Sequence, residues 1–562
     1  MDHRYRMHRL TNLFWRISTL SLLAMLMSCA GPTGTTSPTT STPAPAPSVS
    51  RERELVDRAL AALGGADALR ALRSASIRGT VKHWEPEQSH VPGGEPRFAA
   101  ESSFDTTLDF VSRRARIDWE KKFAYPSPRT FKFTEVVTPD AGYVLGIDSN
   151  GRNAQNRNAN PPAHTMSGLR LATTQRELRR TSPTLLLEMR NNLARVTRIA
   201  DFAVQGGASL PAVTYDAGGV RYIVMFDPQS GLPVRIRTLD FDNIWGDVNY
   251  DLTLAEWQPL AGVRVATSQR YELNGRVVAD IRLTQMTPNP QINPAGMTVP
   301  DAVRATAAKP ATGNVPYQWV IRRQFIGTYL DSDNPSFDTQ TTQSLRLQEL
   351  GPGVQHVVGG SHNAMVVDMR DHLIVFDAPV SDAQSNWTIR AAQARYGGNG
   401  AKPVRYLVLT HHHMDHAGGL RAYMAQGATL VVGAGAAAHY RRVLAAPATR
   451  NPDMGPYNFS KSNIIEVADR YLMTDGTRQV SAHLTENPHV ASMLIGYVAD
   501  ARIGFVTDIW SPGVGPLPKE ISTPLAALVT AARRAGISPL RFAGGHGSTA
   551  EYAPLAGLAG GK

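Results

Sequence analysis

Cysteine is nearly absent from this chain: Cys29 is the only one among 562 residues. A lone cysteine excludes an intramolecular disulfide framework and every zinc site built on thiolates, so a metal would have to be held by histidine and carboxylate. Runs of five or more Lys and Arg are also missing, although the formal net charge is +11. The arginines are scattered among Asp and Glu, and part of the excess sits near the start as Arg4, Arg6, Arg9 and Arg16. No nucleic-acid partner is expected from that distribution. Long apolar runs are lacking as well; the stretch 17–27 is too short to span a bilayer comfortably.

What is present is ordinary globular material, with 42% hydrophobic and 19% charged residues. At roughly 150 residues per domain the length predicts two to four domains. The basic start, the apolar stretch 17–27 and Ser28-Cys29 read together as a signal peptide. The tetrapeptide L-M-S-C at 26–29 resembles the lipobox of bacterial lipoproteins. That resemblance implies removal of residues 1–28, lipidation of Cys29 and a lipid anchor in the membrane; a plain secretory signal with an incidental cysteine is the alternative. Residues 29–50 are rich in Thr, Ser and Pro and predict a flexible tether. Ala30, where an Asp would retain such lipoproteins at the inner membrane, implies the outer membrane, facing the periplasm.

Residues 51–305 predict a β-rich α+β domain. Helical spacing runs from 51 to 75 with a break at Gly64-Gly65, and strands are expected over 76–81, 107–119, 130–138, 220–226, 234–239 and 263–273. Turn sequences at 227–231 and at Asn274-Gly275 predict hairpins, and one helical piece is expected over 169–191. A mainly antiparallel sheet with a few helices on one face fits. The opening A-L-A-A-L-G-G-A-D-A-L-R-A-L, followed by R-G-T and strands, resembles periplasmic lipoprotein-carrier half-barrels in pattern. His83, His90 and His164 stand alone here and read as solvated or structural. Residues 306–344 form a connector with a helical stretch around 317–325.

From 345 to 558 the texture becomes α/β. Apolar strands are expected at 354–358, 364–367 and 373–376, a helix over 386–396, and a buried strand at 404–409 that runs straight into T-H-H-H-M-D-H at 410–416. A helix (420–426) and a strand (429–432) follow, an order that puts chemistry at the carboxyl end of a strand. His411, His413, Asp415 and His416 form H-x-H-x-D-H, which has the donors zinc takes, usually four per ion. One loop cannot surround two ions, and further donors come in order: His489 ahead of an apolar strand, Asp508 ending the strand G-F-V-T-D, and His546 in G-G-H-G.

This order resembles the metallo-β-lactamase superfamily over about 345–558. The resemblance implies an αββα sandwich and two zinc ions, one on His411, His413 and His489, the other on Asp415, His416 and His546, with Asp508 bridging. It also implies a hydrolase in which Asp415 doubles as proton acceptor. His483 is the rival to His489, His412 reads as a non-ligating neighbour, and His362 and His439 have no expected role. Asp377 reads either as a partner that orients a ligand or as a strand-end turn carboxylate. Imidazole also suits iron and nickel, but His413 stands where the family's diiron branch has a Glu, which favours zinc.

The expected substrate is a small molecule with an acyl-type bond, such as a lactone, ester, thioester or lactam. Only Ser511 follows Asp508 as a candidate to grip a lactam carboxylate, and Met493 stands where a polar residue often helps. Between Asp508 and His546 there is no room for the insertion of the family's nucleases. The competing expectation is a non-catalytic carrier lipoprotein with a structural metal domain, and nothing in the sequence sets the oligomeric state.

Overall fold

The computed structural model of the protein describes residues 50–148, 163–203, 209–312, 344–398, 401–450, 459 and 461–560. The signal segment, Cys29, nearly all of the tether and the helix expected over 317–325 lie outside the described residues. No helix among the described residues is long and apolar enough to cross a membrane.

The N-terminal lobe is built on one thirteen-stranded antiparallel sheet. Its first six strands run outward in chain order, from Ser74–Glu85 to His164–Thr165, and its last seven run from the opposite edge, Val196–Phe202, back to Arg276–Pro288. The two halves join where Ser74–Glu85 pairs with Arg276–Pro288, Ala75 facing Pro288. Helices Arg51–Ala62 and Ala66–Ala71 are separated at Gly64-Gly65, as the sequence predicts.

Two expectations need correction. The strand expected over 107–119 is two strands, Arg97–Asp109 and Arg114–Phe123. Asp109 turns the chain by accepting hydrogen bonds from the amides of Val111 and Ser112, a local side-chain bond that competes with the sheet ladder. The helix expected over 169–191 is likewise two, Gly168–Arg180 and Leu185–Asn191. Pro183 between them supplies no N–H and disfavours helix at Ser182.

Helix Gly168–Arg180 carries buried charge into the lobe. Arg170 bridges Glu135 and Asp148 at 2.6 and 2.5 Å, and all three are solvent-inaccessible. Beside them Lys121 is fully buried, its ammonium 4.7 Å from the Phe133 ring centre. Burial, opposed by Glu135, pulls the Lys121 pKa down to about 7. Between about pH 7 and 10.5 the unfolded chain therefore holds a proton that the folded chain does not, so stability rises with pH there. Wild type should gain stability over Lys121→Met across this window, by at most about 1.4 kcal/mol per pH unit. Chemical denaturation at pH 7, 8, 9 and 10 checks it, and parallel stability curves for the two proteins would refute it.

The C-terminal lobe is a sandwich of a seven-stranded and a six-stranded sheet. Strand Leu373–Phe376 illustrates the layering: Ile374 and Phe376 point between the sheets, against Val480, Leu494 and Phe505, while Leu373 and Val375 face the outer helices. Period-two alternation of this kind requires apolar cover on both faces. Helices Asp382–Tyr396, Leu420–Ala425 and Ala437–Ala445 cover one outer face, and Thr523–Arg534 with Tyr552–Leu558 covers the other. The result is the αββα fold expected from the resemblance.

The two lobes pack through polar as well as apolar contacts. Buried Arg421 donates to the carbonyls of Asn243, Ile244 and Val443 at 2.6–2.9 Å, and the Asn243 amide donates to the Val380 carbonyl at 2.6 Å.

Candidate metal centre

Strand Val404–Val408 ends at the histidine run, and the chain turns at once into the short helix Met414–Ala417. Asp377 fixes this turn. Its carboxylate accepts from the Thr410 amide at 2.7 Å and the Thr410 hydroxyl at 3.0 Å, and lies 2.9 Å from His416 Nδ1. A carboxylate only accepts, so His416 carries its proton on Nδ1 and turns Nε2 to the centre. The glycines after the motif are needed sterically: a Cβ on Gly418 would lie 2.2 Å from the Val380 carbonyl oxygen, and one on Gly419 2.3 Å from that of Ser381.

All seven donors expected from the motif converge. His411, His413 and His489 form one group, with His489 Nε2 at 3.1 Å from His413 Nδ1. Asp415, His416 and His546 form another, with His416 Nε2 at 3.2 Å from His546 Nε2. Asp508 stands between them. Its Oδ2 is 2.9 Å from His416 Nε2 and 3.5 Å from His411 Nε2, and its Oδ1 is 3.1 Å from His546 Nε2 and 3.7 Å from His489 Nε2.

The second group has a member the sequence reading passed over. His362, from the loop between Val354–Val358 and Ala364–Asp368, places Nε2 at 3.3 Å from Asp415 Oδ2 and its ring centre 4.5 Å from that of His546. The sequence did hold a signal, since G-G-S-H at 359–362 is a glycine-flanked loop at a strand end, like G-G-H-G at His546.

Other histidines fall elsewhere. His483 Nε2 lies 2.9 Å from Ser481 Oγ and joins no cluster among the described residues. His412 Nε2 is 2.8 Å from the Ser89 carbonyl oxygen. His90 is not isolated, as its Nδ1 lies 3.3 Å from the His489 carbonyl oxygen. His83 is buried beside Glu85, and His164 lies 3.9 Å from Asp148. Met493 is buried in the apolar layer under helix Thr523–Arg534.

The electrostatics suit a cation. Burial, then neighbouring histidines, hold His411 and His413 well below the usual imidazole range, and burial also lowers His489. Burial and His546 push His362 down to about 4. At Asp415 and Asp508 burial favours the acid, but His416 and the other histidines outweigh it and hold both well below the usual carboxylate range. Neutral imidazoles facing ionised carboxylates are the donor set that zinc takes. His416 is the exception: against its burial, Asp508 and Asp415 hold it well above the usual imidazole range, so a cation binding there would displace its Nε2 proton. His411 Nε2 is buried without a hydrogen-bond partner although it points at the cluster, an atom that a bound cation would satisfy. The residues present thus fit a metal.

Residues 357–536 match the family model described as the metallo-beta-lactamase superfamily. No curated protein sequence matches the chain. Among solved structures, a stereoselective inverting sec-alkylsulfatase from Pseudomonas sp. is 15% identical, with 38% of this chain and 40% of that one covered and a TM-score of 0.29. The flavodiiron protein from Giardia intestinalis is 17% identical over 38% of this chain and 57% of its own, with a TM-score of 0.28. A metallo-beta-lactamase from Hirschia baltica is 16% identical over 38% of this chain and 96% of its own, with a TM-score of 0.29. The chain thus spans well under two thirds of the sulfatase and flavodiiron proteins. With the family match lying over the sandwich, the region 357–536 belongs to the metallo-beta-lactamase superfamily.

Proposed function

We propose that the protein is a zinc-dependent hydrolase with a binuclear centre, anchored through lipidated Cys29 at the outer membrane and facing the periplasm. It acts on a small molecule with an acyl-type bond, such as a lactone, ester, thioester or lactam. The observation that carries the reading is Asp508, whose two oxygens address both donor groups at 2.9–3.7 Å. His411, His413 and His489 would hold one ion, and Asp415, His416 and His546 the other, with His362 at hand. Such ions, when bound, polarise a substrate oxygen and lower the pKa of a coordinated water to about 7.

The protein's own groups do the rest. Asp377 keeps the proton of His416 on Nδ1. Asp415 is the proton acceptor, and His362 Nε2, 3.3 Å from its Oδ2, donates to that carboxylate and holds it in place. Burial of His411, His413 and His416 keeps their side of the centre closed to solvent.

The test is elemental analysis of protein lacking residues 1–50, with a parallel screen of lactones, esters, thioesters and lactams. About two zinc ions per chain and zinc-dependent turnover of one class are expected. Protein that stays metal-free after zinc is supplied would overturn the reading.

A second reading has one observation in its favour. A cavity of about 160 Å³ lies between the N-terminal sheet and helix Gly168–Arg180, lined by Ile77, Phe104, Ile117, Trp119 and Leu178 among others. It suits an apolar ligand and supports a carrier role. Binding of a fluorescent fatty acid, unaffected by Asp508→Ala and without turnover of any substrate class, would favour it.

A further inference from the structure

The metal-centre donors all come from the C-terminal lobe, yet the groups that orient two of them do not. The hairpin end that joins strands Ser74–Glu85 and Arg97–Asp109 of the N-terminal sheet rests on the centre. Gln88 and Ser89, 6% and 1% exposed, are sealed there.

Chemistry permits one consistent assignment of the hydrogens. Gln88 Nε2 donates to Asp415 Oδ1 at 2.9 Å, because an ionised carboxylate cannot donate. That turns Gln88 Oε1 to Tyr125, whose hydroxyl donates to it at 2.6 Å. The opposite oxygen of Asp415, Oδ2, faces His362 at 3.3 Å and His416 at 3.9 Å. The amide thus occupies one oxygen and leaves the other for the centre. The same logic governs His413. The Ser89 carbonyl oxygen lies 3.0 Å from His413 Nε2, so the ring proton belongs there. Nδ1 is left bare, 3.1 Å from His489 Nε2. The backbone of His489 is tied to the same lobe: its carbonyl accepts from Arg97 Nη2 at 3.1 Å, and the Ala491 amide donates to the His90 carbonyl at 2.9 Å.

We propose that the N-terminal lobe is a working part of the metal centre: Tyr125 and Gln88 are positioning residues that set the Asp415 carboxylate, and the Ser89 carbonyl selects the tautomer in which His413 binds metal. This rests on the metal reading above. Groups that hydrogen-bond metal ligands fix ring and carboxylate orientation, and their loss typically costs about 10–100-fold in affinity or activity.

The test is zinc affinity of the chain lacking residues 1–50, by competition with a chromogenic chelator, for wild type, Gln88→Leu and Tyr125→Phe. Melting of the metal-free proteins is recorded alongside. Gln88→Leu should weaken the more weakly held zinc about 10–100-fold and Tyr125→Phe should weaken it less, with metal-free melting unchanged. A merely structural role would move the melting and spare the affinity. Tyr125→Phe removes a single oxygen and carries the test alone if Gln88→Leu does not fold. Two zinc ions held by both variants within twofold of wild type would overturn this inference and leave the binuclear reading intact. Failure of wild type to bind zinc would overturn the reading on which it rests.

Discussion

Asp508→Ala is expected to empty the metal centre rather than trim it. The carboxylate reaches both donor groups, 2.9 Å from His416 of one and 3.5 Å from His411 of the other. Its loss takes a ligand from both sites and leaves Asp415 as the only anionic donor among the seven expected from the motif. Zinc should fall from about two ions to less than one per chain after dialysis. Hydrolysis should fall by about 10³-fold or more, because a Lewis acid contributes several kcal/mol and each 1.36 kcal/mol is tenfold. Elemental analysis and initial rates on the substrate class found for wild type check both. His483→Ala is the control and should leave both unchanged, since His483 bonds to Ser481 away from the centre. Retention of two ions by Asp508→Ala would sink the bridging role.

The second large effect is on stability and lies far from the metal. Arg170→Met should lower the melting temperature by about 10 °C or more. Arg170 holds Glu135 at 2.6 Å and Asp148 at 2.5 Å, with every partner solvent-inaccessible. Methionine keeps most of the stem and removes the guanidinium, leaving two buried carboxylates short of a cation. Breaking a buried pair from one side costs about 3–5 kcal/mol, and each kcal/mol moves the midpoint of a domain this size by about 2–4 °C. Calorimetry measures it directly. A shift below about 2 °C would mean that Lys121 and the neighbouring donors already neutralise the pair. Because the helix bearing Arg170 also roofs the apolar cavity, the variant should lose fatty-acid binding, if wild type has it, before it loses zinc.

The metal ligands were legible because each sits where sequence pattern fixes structure. The strand 404–408 is apolar throughout, so its end could be located, and H-x-H-x-D-H follows it. His489, Asp508 and His546 were found in the same way, each beside an apolar strand or between glycines. His362 obeys the rule too and was missed because it lies ahead of the motif and has no spacing to it. Gln88, Tyr125 and Arg97 could not have been found. Gln88 and Arg97 meet partners hundreds of positions away, Tyr125 acts through Gln88, and nothing in a glutamine or an arginine marks it as facing another lobe. The strand and helix misreadings have a local origin: Asp109 and Pro183 end elements through one hydrogen bond and one missing N–H, which apolar periodicity does not register.

The pairing of Ala75 with Pro288 bears on the order in which the molecule is made. A ladder between the first and last strands of a sheet has to close a very long loop, which slows folding more than it weakens the product. During synthesis the first strand can pair with Arg97–Asp109 at once, but its other edge must wait for the whole lobe to emerge. That strand also leads into the segment bearing Gln88 and Ser89, and the histidine run it meets emerges later still. The two halves of the centre therefore meet only after both lobes have emerged, and zinc offered to a partly folded chain finds His413 before the Ser89 carbonyl has set its tautomer.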